Sequence, residues 1–206
     1  MHDDLFITLR AAYQAITHRM GGQRPPLTEA EVHHLLSLFR LTQLDKTDYF
    51  VRAGEQKDRL GFLLSGLVRH YYARSDGSEV TVDFAAEFDL VGDYNCILLG
   101  KPADHYVQAV EPCQLVVAAY PDLLAAYAQF PRLEGLGRSF VEGYLARTLQ
   151  QMALVMVHTP EERYRYLLNE RPDLIRRVPQ VLLASYVGVT PVSLSRIRRR
   201  MAVLGH

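Results

Sequence analysis

The sequence predicts an α+β protein, in which an antiparallel β segment follows short N-terminal helices and precedes a long helix and a final pair of helices. Three observations lead to this prediction. Short β-prone runs separated by turn residues fill about residues 46–119. A proline-free stretch with helical apolar spacing occupies residues 133–158. A turn between two short helical patterns follows, close to the end of the 206-residue chain.

The N-terminal region predicts two helices. Apolar residues recur at helical spacing over residues 5–16, and the pattern stops at Gly21-Gly22. Thr28, with Glu31 three residues later, is typical of a capping box, in which each side chain satisfies a backbone N–H of the other. Apolar residues at helical spacing continue over residues 32–39, so a second, short helix is expected there.

The middle of the chain predicts antiparallel strands joined by tight turns. Asp76-Gly77 lies between two β-prone runs and favours a hairpin, because glycine accepts the positive φ of a tight turn. Strands this short and closely spaced favour a roll or barrel over a parallel sheet. The expected strands cover residues 49–51, 62–64, 67–72, 80–84, 106–110 and 114–118.

The long helix carries an apolar seam whose members step by four, three, four and three residues. The spacing alone leaves two explanations equally open, a partner helix or coverage of the chain's own β segment. Thr159-Pro160-Glu161-Glu162 then starts a new helix and marks a junction, so the expected domains are 1–132, 133–158 and 159–206. The seam residues, which are the candidate dimer contacts, are Val141, Leu145, Thr148, Met152 and Val155.

Charge divides the chain into an acidic body and a basic end. Residues 1–162 hold 14 Lys and Arg against 21 Asp and Glu, whereas the remainder holds 9 Arg against 2 acidic residues. This division fits a tail that meets a polyanion, and a merely solvated basic face is the alternative. The absence of a long apolar run and of a basic, apolar start predicts a cytoplasmic protein with no membrane segment. Cys96 and Cys113 lack metal-site spacing and are expected to be buried.

The stretch from Gln180 to Met201 has the pattern of a helix-turn-helix. Small Ala184 allows close helix approach, Gly188 suits the turn, and Thr190 with Pro191 is a cap followed by a first-turn residue. An ordinary helical hairpin with a basic face is the alternative, but the spacing and the charge division together favour DNA binding. Arg196 is expected to reach base edges, with the other arginines near phosphates. The predicted DNA-binding residues are Thr190, Val192, Ser193, Ser195, Arg196, Arg198, Arg199 and Arg200.

These motifs resemble the Crp/Fnr family of transcription regulators over almost the whole chain. The residues that carry the resemblance are Gly54-Glu55, Phe62 to Gly66, Asp76-Gly77, Gly92-Asp93, Ala184, Gly188, Thr190 and Leu194 to Ile197. The resemblance implies a cyclic-nucleotide-binding-like β-roll, a long dimerisation helix and a C-terminal helix-turn-helix domain. It also implies a homodimer that binds double-stranded DNA, with RNA polymerase and an unidentified small-molecule effector as candidate partners. After Met201 too few residues follow for the family's full β-wing.

Departures from the family pattern bear on the effector. Members that bind cyclic AMP carry a Gly-Glu pair and, about ten residues later, an Arg-Ser pair for the phosphate. Here Gly92-Asp93 matches the first pair, and Ala103-Asp104 replaces the second, so the phosphate loses its cation. The effector is therefore expected to be something other than cyclic AMP, or absent, and no cofactor is expected. The candidate pocket comprises Gly92, Asp93, Tyr94, Asn95, Ala103, Asp104, Tyr106 and Thr148.

Two other classes of function are less well supported. A cupin-like β-barrel enzyme would need clustered metal ligands, and the eight histidines are scattered, so neither catalytic residues nor a metal site is predicted. The other alternative is a ligand-binding roll whose basic tail contacts a protein partner. Salt-dependent binding of mixed-sequence DNA would distinguish a regulator from such a module.

Overall fold

The computed structural model describes residues 27–204, together with Ile7 and Arg10, so most of the helix expected over residues 5–16 lies outside the described residues. The chain divides into two compact units, one of Met1–Val68 with Ala85–Tyr144, the other of Arg69–Phe84 with Leu145–His206. The division falls inside the long helix and assigns a hairpin to the C-terminal unit. The domain boundaries predicted from the sequence remain predictions.

The first unit is built on an antiparallel sheet of four strands in the order β1-β8-β3-β6. These strands are β1 (Arg40–Leu44), β3 (Arg59–Ser65), β6 (Leu90–Val91) and β8 (Cys113–Ala119). β8 lies between β1 and β3, with Arg40 opposite Val117 and Arg59 opposite Ala119. Strands β2 (Tyr49–Val51) and β7 (Tyr106–Ala109) form a second antiparallel pair.

The interior of this unit is an apolar core supplied mainly by the strands. Phe50, Leu63, Val91, Val107 and Leu115 are almost completely buried and belong to one cluster. Burying such side chains supplies most of the favourable free energy of folding, about 25 cal/mol per Å² of apolar surface. The two cysteines, Cys96 and Cys113, are also buried and free of disulfides, as expected.

Three helices and the start of a fourth cover the sheet. Helix α1 (Glu29–Ser37) begins at the predicted Thr28–Glu31 capping box, and α2 (Tyr94–Leu99) is a single short segment between β6 and β7. Helix α3 (Tyr120–Gln129) has Pro121 in its first turn, where proline is well tolerated. Helix α4 (Pro131–Val157) corresponds closely to the long helix predicted for residues 133–158, and Leu133 near its start is buried.

The second unit combines one β-hairpin with the C-terminal helices. The hairpin joins β4 (Val68–Ala73) to β5 (Glu79–Ala85) through the predicted Asp76-Gly77 turn, in which Gly77 has φ of 82° and Asp76 accepts a hydrogen bond from the Ser78 amide. The helices are the second half of α4, then α5 (Pro160–Glu170), α6 (Pro172–Arg177), α7 (Gln180–Val187) and α8 (Pro191–Leu204). Thr159 caps α5 in a capping box with Glu162. No described helix is both long and apolar enough to cross a bilayer.

Candidate nucleic-acid interface and predicted effector pocket

Helices α7 and α8 form a helix-turn-helix whose turn has the predicted local chemistry. Gly188 ends α7 with φ of 80°, a conformation that a residue with a Cβ rarely adopts. Thr190 caps α8, because its Oγ1 accepts a hydrogen bond from the Ser193 amide at 3.2 Å. The Gln180 side-chain amide donates to the Pro191 carbonyl at 3.2 Å and ties the start of α7 to the start of α8.

The crossing of the two helices is fixed by buried apolar side chains. Ala184 and Leu194 are fully buried, and Val187 and Ile197 are nearly so. Ala184 is the position at which the sequence predicts close approach of the two helices. Because the buried Leu194 and Ile197 occupy one side of α8, the opposite side of that helix faces solvent.

The solvent-facing side of α8 carries the predicted DNA-binding residues. Val192, Ser195, Arg196 and Arg199 recur at i, i+3, i+4 and i+7 and are all exposed, so they share one face of the helix. Arg198 is also exposed, but it lies to the side of this face, and Ser193 and Thr190 are engaged in the N-terminal cap. The face has cations without nearby carboxylates on the same helix, as phosphate binding requires.

Arg200 differs from the other arginines of α8, because its guanidinium forms an ion pair and hydrogen bond with the Glu161 carboxylate of α5. Glu161 also lies 3.8 Å from Arg165. The Arg200 guanidinium is therefore already paired with a carboxylate of the same chain. The sequence placed Arg200 among the phosphate-contacting residues without any indication of this pair, since Glu161 lies far away in sequence.

The β4–β5 hairpin is hydrogen-bonded to α7, a contact that the sequence did not predict. The Ser185 hydroxyl donates to the Glu79 carbonyl and accepts from the Thr81 amide, both at 3.0 Å, as a neighbouring strand would. The ring of Phe84 packs edge-on against Tyr186 with 5.2 Å between centroids. The hairpin is thus attached to the first helix of the helix-turn-helix.

A polar network joins the same hairpin to the second half of α4. The Asp83 carboxylate pairs with Arg147 at 3.0 Å and accepts from the Gln151 amide at 2.8 Å. The same amide nitrogen lies 2.8 Å from the Tyr186 hydroxyl, which accepts a hydrogen bond from it. Burial, with a smaller contribution from the Asp83 carboxylate, raises the pKa of Tyr186 well above its ordinary value, so the phenol stays protonated.

The apolar seam of α4 is largely exposed in the single chain. Four of the five predicted seam residues, Val141, Leu145, Met152 and Val155, are more than 40% exposed, whereas Thr148 is partly buried. Leu149 and Met156, which the heptad spacing did not select, are exposed as well, at 56% and 78%. Large apolar side chains in such a continuous stripe are unusual on a surface that remains in water.

The residues of the predicted effector pocket differ in their burial and in their contacts. The Ala103 side chain is buried, and its backbone exchanges hydrogen bonds with Gly54 and Glu55, each of 2.8 Å. Gly92 lies so close to β3 that a Cβ there would be 2.9 Å from Leu60 Cδ2. Neither residue offers a polar side chain to a ligand, which agrees with the expected loss of a phosphate cation.

Other members of the predicted pocket lie in different surroundings. Tyr94 packs against Tyr144 and lines an apolar cavity of about 100 Å³ beneath α1, α3 and α4. Burial raises the pKa of Tyr94 to about 12. Tyr106 instead packs edge-on against Tyr49, Asn95 is exposed, and Thr148 belongs to the second unit.

Two members of the predicted pocket, Asp93 and Asp104, do meet, and they meet at His105. The His105 Nδ1 atom lies 3.3 Å from Asp93 Oδ2 and 3.2 Å from Asp104 Oδ1. Both carboxylates belong to the pocket predicted from the sequence, whereas His105 is one of the scattered histidines that predicted no metal site. Adjacency to Asp104 was the one sequence signal that could have suggested the cluster.

Comparison with known proteins agrees with this architecture. Residues 41–130 match the family model of the cyclic nucleotide-binding domain. No curated protein sequence matches the chain.

Three solved structures show the extent of the likeness. FixK2 from Bradyrhizobium japonicum is 18% identical with a TM-score of 0.69, covering 81% of this chain and 86% of its own. The c-di-GMP-responsive global regulator CLP from Xanthomonas campestris is 15% identical with a TM-score of 0.68, covering 86% and 93%. A CooA variant from Carboxydothermus hydrogenoformans is 18% identical with a TM-score of 0.65, covering 83% and 79%.

These matches confirm the predicted fold class, a cyclic-nucleotide-binding-like roll with flanking helices, a long helix and a C-terminal helix-turn-helix. They also confirm the resemblance noted in the sequence motifs. Residues 41–130 are therefore similar to the cyclic nucleotide-binding domain, and the chain shares its fold with Crp/Fnr family transcription regulators.

Proposed function

We propose that this protein is a homodimeric, sequence-specific DNA-binding transcription regulator of the Crp/Fnr type. The observation that carries the proposal is the exposed face of α8, on which Arg196 and Arg199 stand beside Ser195 and Val192. An α-helix fits the major groove of B-DNA, where arginine recognises guanine through paired hydrogen bonds. The similarity in fold to known regulators supports the proposal.

The positions of the side chains on α8 suggest which of them contact bases and which contact phosphates. Arg196, in the second turn, contacts base edges, while Arg199 and Arg198 contact phosphates. Val192, which is 62% exposed, offers only apolar contact, for example to a thymine methyl group. Few hydrogen bonds then remain to distinguish bases, so we expect modest sequence discrimination.

DNA binding is tested by measuring affinity for a mixed-sequence duplex and for selected sequences at several salt concentrations. A DNA-binding protein shows log affinity falling linearly with log salt, with a slope of about −0.9 per phosphate contact. Absence of DNA binding at low salt would contradict the proposal and favour a module whose basic tail contacts a protein.

The proposed homodimer uses the exposed stripe of α4. A two-fold pairing of this helix would bury Leu145, Leu149 and Met152 against their counterparts and so remove apolar surface from water. Two subunits related in this way present two α8 helices to a two-fold symmetric DNA site.

The homodimer is tested with a charge placed in the stripe. Met152→Asp should shift the protein from dimer to monomer in sedimentation experiments, because a buried unpaired carboxylate is strongly unfavourable. Gln150→Asp is the matched control, since Gln150 is exposed on the same helix but off the stripe. A wild-type monomer at micromolar concentration, or equal effects of the two substitutions, would exclude this interface.

We further propose that an effector, if the roll binds one, is not cyclic AMP held in the family's manner. Ala103 is buried with a side chain that can donate no hydrogen bond, and two carboxylates, Asp93 and Asp104, lie close by. A cyclic phosphate placed there would lack a cation and face negative charge. RNA polymerase remains a candidate partner of the DNA-bound regulator.

A further inference from the structure

Three potential metal ligands converge at one point in the first unit. One donor atom each from Asp93, Asp104 and His105 lies within 4.8 Å of the other two. Nδ1 of His105 lies 3.2 Å from Asp104 Oδ1 and 3.3 Å from Asp93 Oδ2. Two carboxylates and one imidazole are a donor set found in zinc and other divalent transition-metal sites.

The Asp93 carboxylate is buried, oriented and incompletely satisfied. Its side chain is 3% exposed, and Oδ1 accepts a hydrogen bond from the Cys96 amide at 3.0 Å as the N-cap of α2. Oδ2 is directed toward His105 and has no hydrogen-bond donor among the described residues. A buried carboxylate oxygen in this condition needs a positive partner.

The segment that supplies the other two ligands is held in place by its backbone. The amide and carbonyl of Ala103 are hydrogen-bonded to Glu55 and Gly54, immediately before Asp104 and His105. His105 is buried, whereas the Asp104 side chain is 63% exposed. The site is therefore fixed on its inner side and open on its outer side, where an ion could enter and an exposed carboxylate could adjust.

The two distances from His105 Nδ1 are compatible with tetrahedral coordination. Ligands about 2.0–2.1 Å from a tetrahedral zinc ion lie about 3.3–3.4 Å from one another, whereas octahedral neighbours at 2.1 Å lie about 3.0 Å apart. The observed 3.2 and 3.3 Å are closer to the tetrahedral values. Three protein ligands leave the fourth position for water or an effector group.

The charges of the cluster also favour a bound divalent cation. The two carboxylates carry two negative charges, and a protonated His105 could offset only one of them. A divalent cation bound to neutral imidazole and both carboxylates would neutralise the group. We propose that Asp93, Asp104 and His105 form a binding site for a divalent transition metal, with Zn²⁺ as the preferred ion. This proposal goes beyond the proposed DNA-binding function and does not depend on it.

The experiment uses the full chain after chelator treatment and dialysis. Zn²⁺ titrated by calorimetry should bind at one site per chain, and Co²⁺ should give the visible absorption of tetrahedral coordination. Asp104→Asn should weaken Zn²⁺ binding at least tenfold, because it replaces a charged ligand with a neutral amide. Asp104 is exposed, so the substitution should leave the fold intact. Asp93→Asn should do the same, since asparagine can still cap α2.

The matched control is Asp122→Asn, which removes an exposed carboxylate from the first turn of α3 in the same unit. Circular dichroism should show that all three variants keep the wild-type fold, and Asp122→Asn should bind Zn²⁺ like the wild type. Failure of the wild type to bind Zn²⁺ or Co²⁺ would overturn the proposal and leave an ion pair between His105 and its two carboxylates. Equal affinities for the wild type and Asp104→Asn would overturn it too. Neither result depends on DNA binding, so the two proposals fail separately.

Discussion

Replacing Arg196 by alanine tests whether α8 distinguishes bases or only attracts phosphates. Arg196 is exposed and makes no hydrogen bond or ion pair with another described residue, so its removal should leave the fold of the free protein unchanged. Arg176 provides a matched control, because it is an exposed arginine of the same unit on α6, outside the helix-turn-helix. Both substitutions remove one positive charge.

The expected loss follows from the contact that the side chain can make. A bidentate arginine–guanine pair contributes about 1–3 kcal/mol of discrimination, which corresponds to roughly 5- to 150-fold in affinity for each half-site. A homodimer on a two-fold symmetric site would lose this amount twice, to the extent that the half-sites are additive. A lost phosphate contact would instead lower affinity similarly for all sequences and reduce the salt slope by about 0.9.

The assay is fluorescence anisotropy with a selected duplex and a mixed-sequence duplex at several salt concentrations. Arg196→Ala should weaken binding to the selected duplex far more than to the mixed one, whereas Arg176→Ala should change both only slightly. Equal losses on the two duplexes would show that Arg196 contacts phosphates. Loss no greater than that of Arg176→Ala would refute the assignment of α8 as the base-contacting helix.

Three further predictions address the neighbouring features. Glu161→Gln should release Arg200 for a phosphate and steepen the salt slope of DNA binding by about 0.9 per subunit. Glu170→Gln, an exposed change on the same helix, should leave the slope unchanged. Equal slopes for the two variants would exclude competition between Glu161 and DNA phosphates for Arg200. Ser185→Ala should lower the free energy of unfolding by about 1–3 kcal/mol in urea titrations, because the Thr81 amide loses its hydrogen-bond partner. An unchanged urea midpoint would mean that water replaces the Ser185 hydroxyl. Calorimetry with cyclic AMP and cyclic GMP should detect no binding at micromolar concentration, and micromolar affinity for either would contradict the proposed loss of the phosphate site.

The features that could be predicted from the sequence depend on local patterns. The helix-turn-helix was predicted because its cap at Thr190, its turn at Gly188 and its buried positions all lie within one short stretch. The Asp76-Gly77 hairpin, the Thr28–Glu31 capping box and the helix start at Thr159 were predicted for the same reason. Each of these interactions joins residues only a few positions apart.

The elements that the sequence missed are short or exposed. β1 (Arg40–Leu44) has mostly exposed or partly buried residues and no β-branched residue except Thr42, so no apolar run marked it. β6 has two residues and α6 has six, too few to show any periodicity. Such elements form because their neighbours pair with them or cover them.

The clusters of charged and metal-ligating side chains could not be predicted from local sequence patterns either. His105 meets Asp93 only because the end of β6 and the segment before β7 are brought together by the fold. The sequence contains eight histidines, of which only His33 and His34 are adjacent, so only the neighbouring Asp104 pointed to His105. The pair between Arg200 and Glu161 likewise depends on how α5 and α8 pack.

The β4–β5 hairpin is bonded both to α7 and to the second half of α4. Ser185 and Tyr186, which hold the hairpin, lie on α7, and α7 is joined to α8 by the buried contacts of Ala184 and Leu194. Packed interiors deform little, so a displacement of β5 would also move α7 and α8 unless these hydrogen bonds broke first. Because Asp83 of the same strand is also bonded to α4, the hairpin links the proposed dimer helix to the proposed DNA-binding motif within a single compact unit. Moving this strand relative to α7 and α4 would therefore require that the bonds of Ser185 and Asp83 break.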